Sequence, residues 1–127
     1  MNKEVWIVDD DDEMGRAVGL MLKLLDYDWK LFNHPRPAAQ ALLAGKRPDI
    51  MILDINMPEV TGLDMLEFLR RRPEWKNLPV IMLSSEAADV MVDKALKLGA
   101  DGYVMKPVTI EELEKEMAQA FYKHLER

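Results

Sequence analysis

The chain contains no cysteine among its 127 residues, which excludes disulfide bonds, thiolate metal sites and thiol chemistry. It also has no apolar run near the roughly 20 residues that a helix needs to cross a membrane. Basic side chains number 17 against 23 acidic ones, and the net charge of −6 argues against nucleic acid or an anionic membrane as the main partner. These features predict one domain, residues 1–127, that folds around a packed core in the reducing cytoplasm.

Short apolar runs alternate with helical patterns along the whole chain. The runs predict five β-strands at residues 5–8, 29–32, 50–53, 80–83 and 102–105. Each run is followed by apolar residues spaced three and four apart, the pattern of a helix that lies on a sheet. Pro35 and Pro37 are expected to break the chain before the second helix, at residues 38–44, and the fourth helix is expected to include Ala88.

This alternation predicts an α/β fold in which a parallel five-stranded sheet carries helices on both faces. Each crossover between parallel strands needs about a dozen residues or more, which the helical segments supply. For doubly wound folds of this size the usual strand order is 2-1-3-4-5, and we assume that order. Strands 1 and 3 then flank the point beyond the carboxyl ends of the strands where ligands bind.

Polar residues stand directly after four of the predicted strands. Asp9 and Asp10 follow the first strand, Asp54 the third, Ser84 the fourth and Lys106 the fifth. Taken alone, each has an ordinary explanation as a helix start, a turn former, a helix cap or a surface lysine. Because the assumed strand order brings all of them to one edge of the sheet, their joint occurrence favours a shared pocket.

Three carboxylates in one pocket raise one another's pKa, so they favour a bound divalent cation. Oxygen ligands without histidine or cysteine nearby favour a hard ion. A site with few protein ligands also leaves coordination positions for water and phosphate, which suits Mg²⁺. In such a pocket Lys106 and Ser84 can hold phosphate oxygens, and Asp54 is the central carboxylate able to attack phosphorus. The residues therefore predict phosphoryl transfer.

Four motifs, in this order, resemble the receiver domain of two-component response regulators. They are Val-Asp-Asp at residues 8–10, Leu-Asp-Ile-Asn-Met-Pro at 53–58 with Gly62, Leu-Ser-Ser at 83–85, and Gly-Tyr-Val-Met-Lys-Pro at 102–107. The resemblance extends from about residue 4 to residue 125. It implies a flavodoxin-like arrangement of five βα units.

The resemblance implies that Asp54 is a phosphoacceptor. Asp54 would receive a phosphoryl group from a phosphohistidine on a sensor histidine kinase or a histidine phosphotransfer protein, giving an acyl phosphate. Asp10, Asp54 and the backbone carbonyl of Asn56 would bind Mg²⁺, with Asp9 assisting through water.

The resemblance also implies roles for residues around the phosphoryl group. Ser84 and Lys106 would hold its oxygens, and the bond between Lys106 and Pro107 is commonly cis in this family. Tyr103 would be the aromatic switch that swings inward as Ser84 moves toward the phosphate.

Asn56 and Glu86 occupy two variable positions that help to set how long the phosphoryl group survives in this family. Their polar and acidic character predicts a transient mark. The domain would be a signalling module rather than an enzyme, although it promotes its own phosphotransfer and dephosphorylation.

Phosphorylation is expected to shift the population between two conformations of a face formed by the fourth helix, the fifth strand and the fifth helix. Partners would recognise that face, where Val90, Met91 and Tyr103 are candidate contacts. The resemblance leaves open a phosphorylation-dependent homodimer and the presence of a further output domain. Direct contact with nucleic acid or membrane is not expected.

Two other classes of protein fit parts of the pattern. A Mg²⁺-dependent phosphatase also uses an aspartate nucleophile after a strand, but it needs a second aspartate two residues later, where this chain has Asn56. A flavodoxin-like cofactor binder needs glycines and hydroxyls after the first strand, whereas residues 10–13 are all acidic. The phosphatase stays the alternative.

Two groups of charged residues outside the predicted site carry no function in this interpretation. The arginines at residues 70–72 are expected to be solvated at a helix end. His34 and His124 are expected to be isolated from carboxylates and metal ligands.

Overall fold

The computed structural model describes residues 2–85 and 89–125 of the chain. The strands are β1 (Glu4–Val8), β2 (Asp28–Phe32), β3 (Ile50–Asp54), β4 (Val80–Ser84) and β5 (Gly102–Met105). The helices are α1 (Asp12–Leu24), α2 (Pro35–Leu43), α3 (Gly62–Arg70), α4 (Asp89–Lys97) and α5 (Ile110–Leu125). Within these ranges no helix is long and apolar enough to cross a membrane.

All strand pairs are parallel, and the sheet has the order β2-β1-β3-β4-β5, which confirms the predicted doubly wound fold. Every residue of β3 and β4 is buried, as expected for central strands that helices cover on both faces. Successive side chains of the strands point into two separate cores. Val5, Ile7 and Ile52 belong to the core beneath α1 and α5, whereas Trp6 and Leu53 belong to the core beneath α2, α3 and α4.

Helix α2 begins earlier than the sequence predicts. Pro35 is its first residue and Pro37 lies in its first turn. The prediction that these prolines break the chain was wrong, because first-turn amides have no acceptor within the helix and a proline there removes no bond. His34 Nδ1 caps the helix by accepting the Arg36 N–H at an N···N distance of 3.1 Å. Ala88, which was expected in the fourth helix, lies outside the described residues.

Helix α1 lies close to the edge strand β2 because glycines of the helix face large side chains of the strand. A Cβ atom built on Gly19 would lie 2.5 Å from the Trp29 ring, and one built on Gly15 would lie 2.6 Å from the Leu31 side chain. Both glycines are buried. The missing side chains therefore make room for the bulky residues of β2 and let the helix approach the sheet.

A polar network joins four segments of the chain at the amino end of the sheet. Its centre is Asp101, which is buried directly before β5. Asp101 Oδ2 accepts hydrogen bonds from Arg70 Nη2 at 3.1 Å and from the Val80 backbone N–H at 2.9 Å. His124 Nε2 lies 2.9 Å from Asp101 Oδ1, and Lys123 Nζ donates to the Asp101 carbonyl at 2.8 Å.

This network corrects two expectations. His124 lies beside a carboxylate, so the prediction that it is isolated was wrong. Arg70 is not solvated, because only 13% of its side chain is exposed and it also donates to the carbonyls of Gly99 and Trp75. The neighbouring Arg71 is exposed, as expected for a helix end.

We expect Asp101→Ala to lower the free energy of unfolding by roughly 3–5 kcal/mol, because the variant leaves the half-buried Arg70 charge without its carboxylate. Urea unfolding followed by tryptophan fluorescence measures the loss. Asp93→Ala is the matched control, since the pair between Asp93 and Lys97 is exposed and its loss costs less than about 1 kcal/mol. Equal losses in the two variants would contradict the structural role of Asp101.

Candidate functional site

Four strand ends deliver polar side chains to the carboxyl edge of the sheet. Carboxylate oxygens of Asp9, Asp10 and Asp54 all lie within 4.8 Å of one another. Lys106 Nζ lies 3.3 Å from Asp54 Oδ1 and 3.5 Å from Asp9 Oδ2. Ser84 ends β4 and is fully buried. The predicted convergence of the strand ends is thus present in the structure.

Backbone hydrogen bonds continue the sheet beyond the strands and fix these positions. The N–H of Asp9 donates to Phe32 O at 3.0 Å, and the N–H of Ile55 donates to Leu83 O at 2.9 Å. The Lys106 N–H donates to Ser84 O at 2.8 Å. The peptide bond that follows Lys106 is cis, as the resemblance implies.

The acidic run after β1 serves two purposes. Asp11 Oδ1 accepts the Met14 N–H at 3.1 Å and caps α1, and the next two acids lie in the first turn, where the helix dipole favours negative charge. Asp9 differs from them because it is fully buried, and its Oδ1 accepts the Asp11 N–H at 3.0 Å. The start of helix α1 therefore explains residues 11–13, whereas the buried Asp9 belongs to the pocket.

The pocket is electrostatically unbalanced toward negative charge. Burial, followed by the negative charge of Asp9, raises the pKa of Asp54 from 3.8 to about 6, although Lys106 opposes the rise. Burial also raises the pKa of Asp9. For Lys106, burial alone would lower the pKa, but the two carboxylates outweigh it and raise the pKa.

The donor atoms of this pocket fit a hard divalent cation. Asp9 Oδ2 is buried and makes no hydrogen bond among the described residues, although Lys106 Nζ lies 3.5 Å from it as an ion pair, so this oxygen can still accept a further ligand. The three clustered side chains offer only carboxylate oxygens, the donors that Mg²⁺ prefers. The excess negative charge is a second reason for a cation here.

The loop between β3 and α3 passes so close to Asp54 that only glycine fits at its end. A Cβ atom on Gly62 would lie 2.2 Å from the Asp54 carbonyl oxygen, and the Gly62 N–H donates to Ile55 O at 3.0 Å. Thr61 and Asp64 then form a reciprocal capping box at the start of α3. Gly62 was part of the motif at the sequence level, but its contact with the Asp54 backbone follows only from the path of the loop.

The remaining predicted site residues lie around this centre. Asn56 is exposed on the loop after β3, and Tyr103 is half-buried on β5 against the core beneath α2, α3 and α4. Glu86 lies outside the described residues.

Comparison with known proteins gives the family of this arrangement. The response regulator receiver domain family matches residues 5–118, a stretch that contains all four strand ends of the site. The chain belongs to this family. The receiver domain family consists of signalling proteins and generally binds Mg²⁺ at its acidic pocket.

Curated relatives include two chemotaxis regulators. Chemotaxis protein CheY1 of Helicobacter pylori is 34% identical over 115 residues, which are 90% of this receiver domain and 93% of the relative. Chemotaxis protein CheY of Pseudomonas aeruginosa is 31% identical, with 93% and 95% covered. Protein RcaC of Microchaete diplosiphon is 34% identical over 87% of this chain, but the matched part is 17% of RcaC.

Solved structures agree with the fold. CheY4 of Vibrio cholerae superposes with a TM-score of 0.84 at 28% identity, covering 94% of this receiver domain and 99% of that chain. The receiver domain of a signal transduction histidine kinase from Syntrophus aciditrophicus gives 0.83 at 26% identity, with 95% and 91% covered.

The raised pKa of Asp54 predicts a dependence of stability on pH in metal-free buffer. Because the folded pKa of about 6 exceeds the ordinary 3.8, the folded state binds more protons, and its extra stability is lost as pH rises between these values. Thermal unfolding should show this fall in the wild type and a smaller one in Asp54→Asn, which cannot ionise. Above about pH 6 the variant should be the more stable protein. Parallel profiles of unfolding temperature against pH for the two proteins would contradict the raised pKa of Asp54.

We expect Gly62→Ala to destabilise the domain by roughly 1–3 kcal/mol, because the new methyl group overlaps the Asp54 carbonyl and displaces the loop. The variant should also bind Mg²⁺ more weakly by calorimetry. Gly45→Ala is the control, since a Cβ there meets nothing within 4 Å and suffers only from the positive φ of 95°. Mg²⁺ binding of wild-type affinity in Gly62→Ala would show that this loop does not position the metal site.

Proposed function

We propose that Asp54 accepts a phosphoryl group from a phosphohistidine on a sensor histidine kinase or a histidine phosphotransfer protein. The observation that carries this proposal is the buried Asp54 carboxylate with Lys106 Nζ at 3.3 Å and two further acids beside it. A carboxylate in this position can attack phosphorus, and the lysine can neutralise the incoming charge.

The transfer exchanges one bond to phosphorus for another. A carboxylate oxygen of Asp54 forms the new O–P bond while the N–P bond of the phosphohistidine breaks, and the imidazole leaves with the bonding electron pair and takes up a proton from water. Lys106 and Ser84 hold the oxygens of the transferred group. The chain contributes positioning and charge, and the donor contributes the driving force.

Asp10, Asp54 and the backbone carbonyl of Asn56 would hold Mg²⁺, with Asp9 acting through water. The bound ion supplies neutralisation of the carboxylates and of the phosphoryl oxygens. The buried Oδ2 of Asp9, which makes no hydrogen bond among the described residues, and the oxygen-only donor set support this assignment.

The phosphorylated state differs from the free state at Ser84 and Tyr103. Movement of Ser84 toward the phosphoryl oxygens frees the space into which Tyr103 turns, and the face formed by α4, β5 and α5 changes with it. Val90 is 79% exposed on α4 and Met91 is half-buried, so both can contact an output partner, an output domain or a second copy of the chain.

The same site admits water, so the domain promotes both its phosphorylation and its dephosphorylation. Asn56 and Glu86 set the lifetime of the acyl phosphate and make it short. Residues 1–127 form one receiver domain that acts in the cytoplasm. The phosphatase alternative is not favoured, because Asn56 stands where a second catalytic aspartate is needed.

Incubation with Mg²⁺ and a small acyl phosphate should add the mass of one phosphoryl group to the intact protein, and Asp54→Asn should abolish this gain. Intact-mass spectrometry at short times makes the measurement. Asp28→Asn is the matched control, because Asp28 is an exposed aspartate of β2 and should retain full labelling. Labelling of Asp54→Asn at the wild-type level would overturn the assignment of the acceptor.

A further inference from the structure

A side chain of α5 accepts a backbone hydrogen bond at the outer edge of β5. β5 is an edge strand with β4 on one side only, and an edge strand presents backbone groups without a strand partner. The Tyr103 N–H donates to Glu116 Oε1 at 3.1 Å. The Glu116 carboxylate thus takes the place of a neighbouring strand at Tyr103. Tyr103 is the residue to which the proposed function assigns the switch.

The direction of the Tyr103 amide follows from the pairing of the strands. Lys106 N–H donates to Ser84 O of β4, and successive amides of a strand point to opposite sides. The amide of Tyr103, an odd number of residues away, therefore points away from β4 and toward the open edge. The bond to Glu116 satisfies a group that the sheet itself cannot reach.

Gly102 provides the space that this carboxylate needs. A Cβ atom on Gly102 would lie 2.9 Å from Glu116 Oε1, so any side chain at this position pushes the carboxylate away. Leu113 and Met117 of α5 are buried in the core. They hold the helix in a position where Glu116 lies beside the edge of β5.

We infer that Glu116 is a positioning residue for Tyr103. The hydrogen bond from the Tyr103 N–H to the Glu116 carboxylate joins the backbone of β5 to helix α5 at residue 103, so a displacement of Tyr103 is passed to α5. The connection between Tyr103 and α5 is inferred from the contacts alone, whereas its role in signalling rests on the proposed function.

The connection itself is tested by amide hydrogen exchange of the full chain without phosphorylation. Glu116→Ala should speed exchange at Tyr103 about tenfold, which corresponds to the free energy of one ordinary hydrogen bond. Gly102→Ala should have the same effect while residue 116 itself is unchanged. Glu116→Gln, which keeps an acceptor oxygen, should retain most of the protection. Glu114→Ala is the control, because it removes an equal charge from an exposed position of α5. Wild-type exchange in both Glu116→Ala and Gly102→Ala would overturn the inference.

The coupling is tested by amide chemical shifts of α5 recorded before and after addition of Mg²⁺ and a small acyl phosphate. Glu116→Ala should gain the phosphoryl mass at the wild-type rate, yet the phosphorylation-dependent shifts at Met117 and Ala120 should shrink several-fold, and Glu116→Gln should restore them. Shifts of wild-type size in Glu116→Ala would overturn the coupling. If the wild type itself gains no phosphoryl mass, the proposed function fails, and the exchange experiment still tests the connection between Tyr103 and α5.

Discussion

The burial of two carboxylates beside one lysine is the constraint on which the rest of the site depends. Asp9 and Asp54 are 0% and 3% exposed, and the ammonium group of Lys106 lies within 3.5 Å of an oxygen of each. One positive charge does not balance two negative ones in a poorly solvated place, so burial and repulsion raise the pKa of Asp54. The strand ends, the capped start of α1 and the tight loop before α3 all hold this unfavourable arrangement in place.

Most of the fold could be predicted from the sequence because its signal is local. Apolar runs and helical spacing are each read within a few residues, whereas the strand order was assumed as the usual order for doubly wound folds of this size and then found in the structure. The start of α2 was misplaced because proline is compatible with the first helical turn. The network around Asp101 could not be predicted, since Arg70 and His124 are distant from it in sequence and no spacing marks them as its partners.

The site could be predicted as far as its residues follow strands. Asp54 ends β3, and Asp9 and Lys106 directly follow β1 and β5. The carboxyl ends of these strands meet at one edge, so the topology brings the three residues together. The contact of Gly62 with the Asp54 carbonyl depends on the path of a loop, and the bond between Glu116 and Tyr103 depends on how α5 lies on the sheet. Neither contact has a periodic signature in the sequence, so neither could be predicted from it.

The fit of α1 against β2 constrains how the sequence can change in evolution. The Trp29 ring fills the space that a side chain at Gly19 would need, and Leu31 does the same opposite Gly15. A larger residue on the helix is tolerated only if the strand residue opposite becomes smaller. Each pair therefore has to vary together, and a homologue that has lost one of these glycines is expected to carry a compensating substitution in β2.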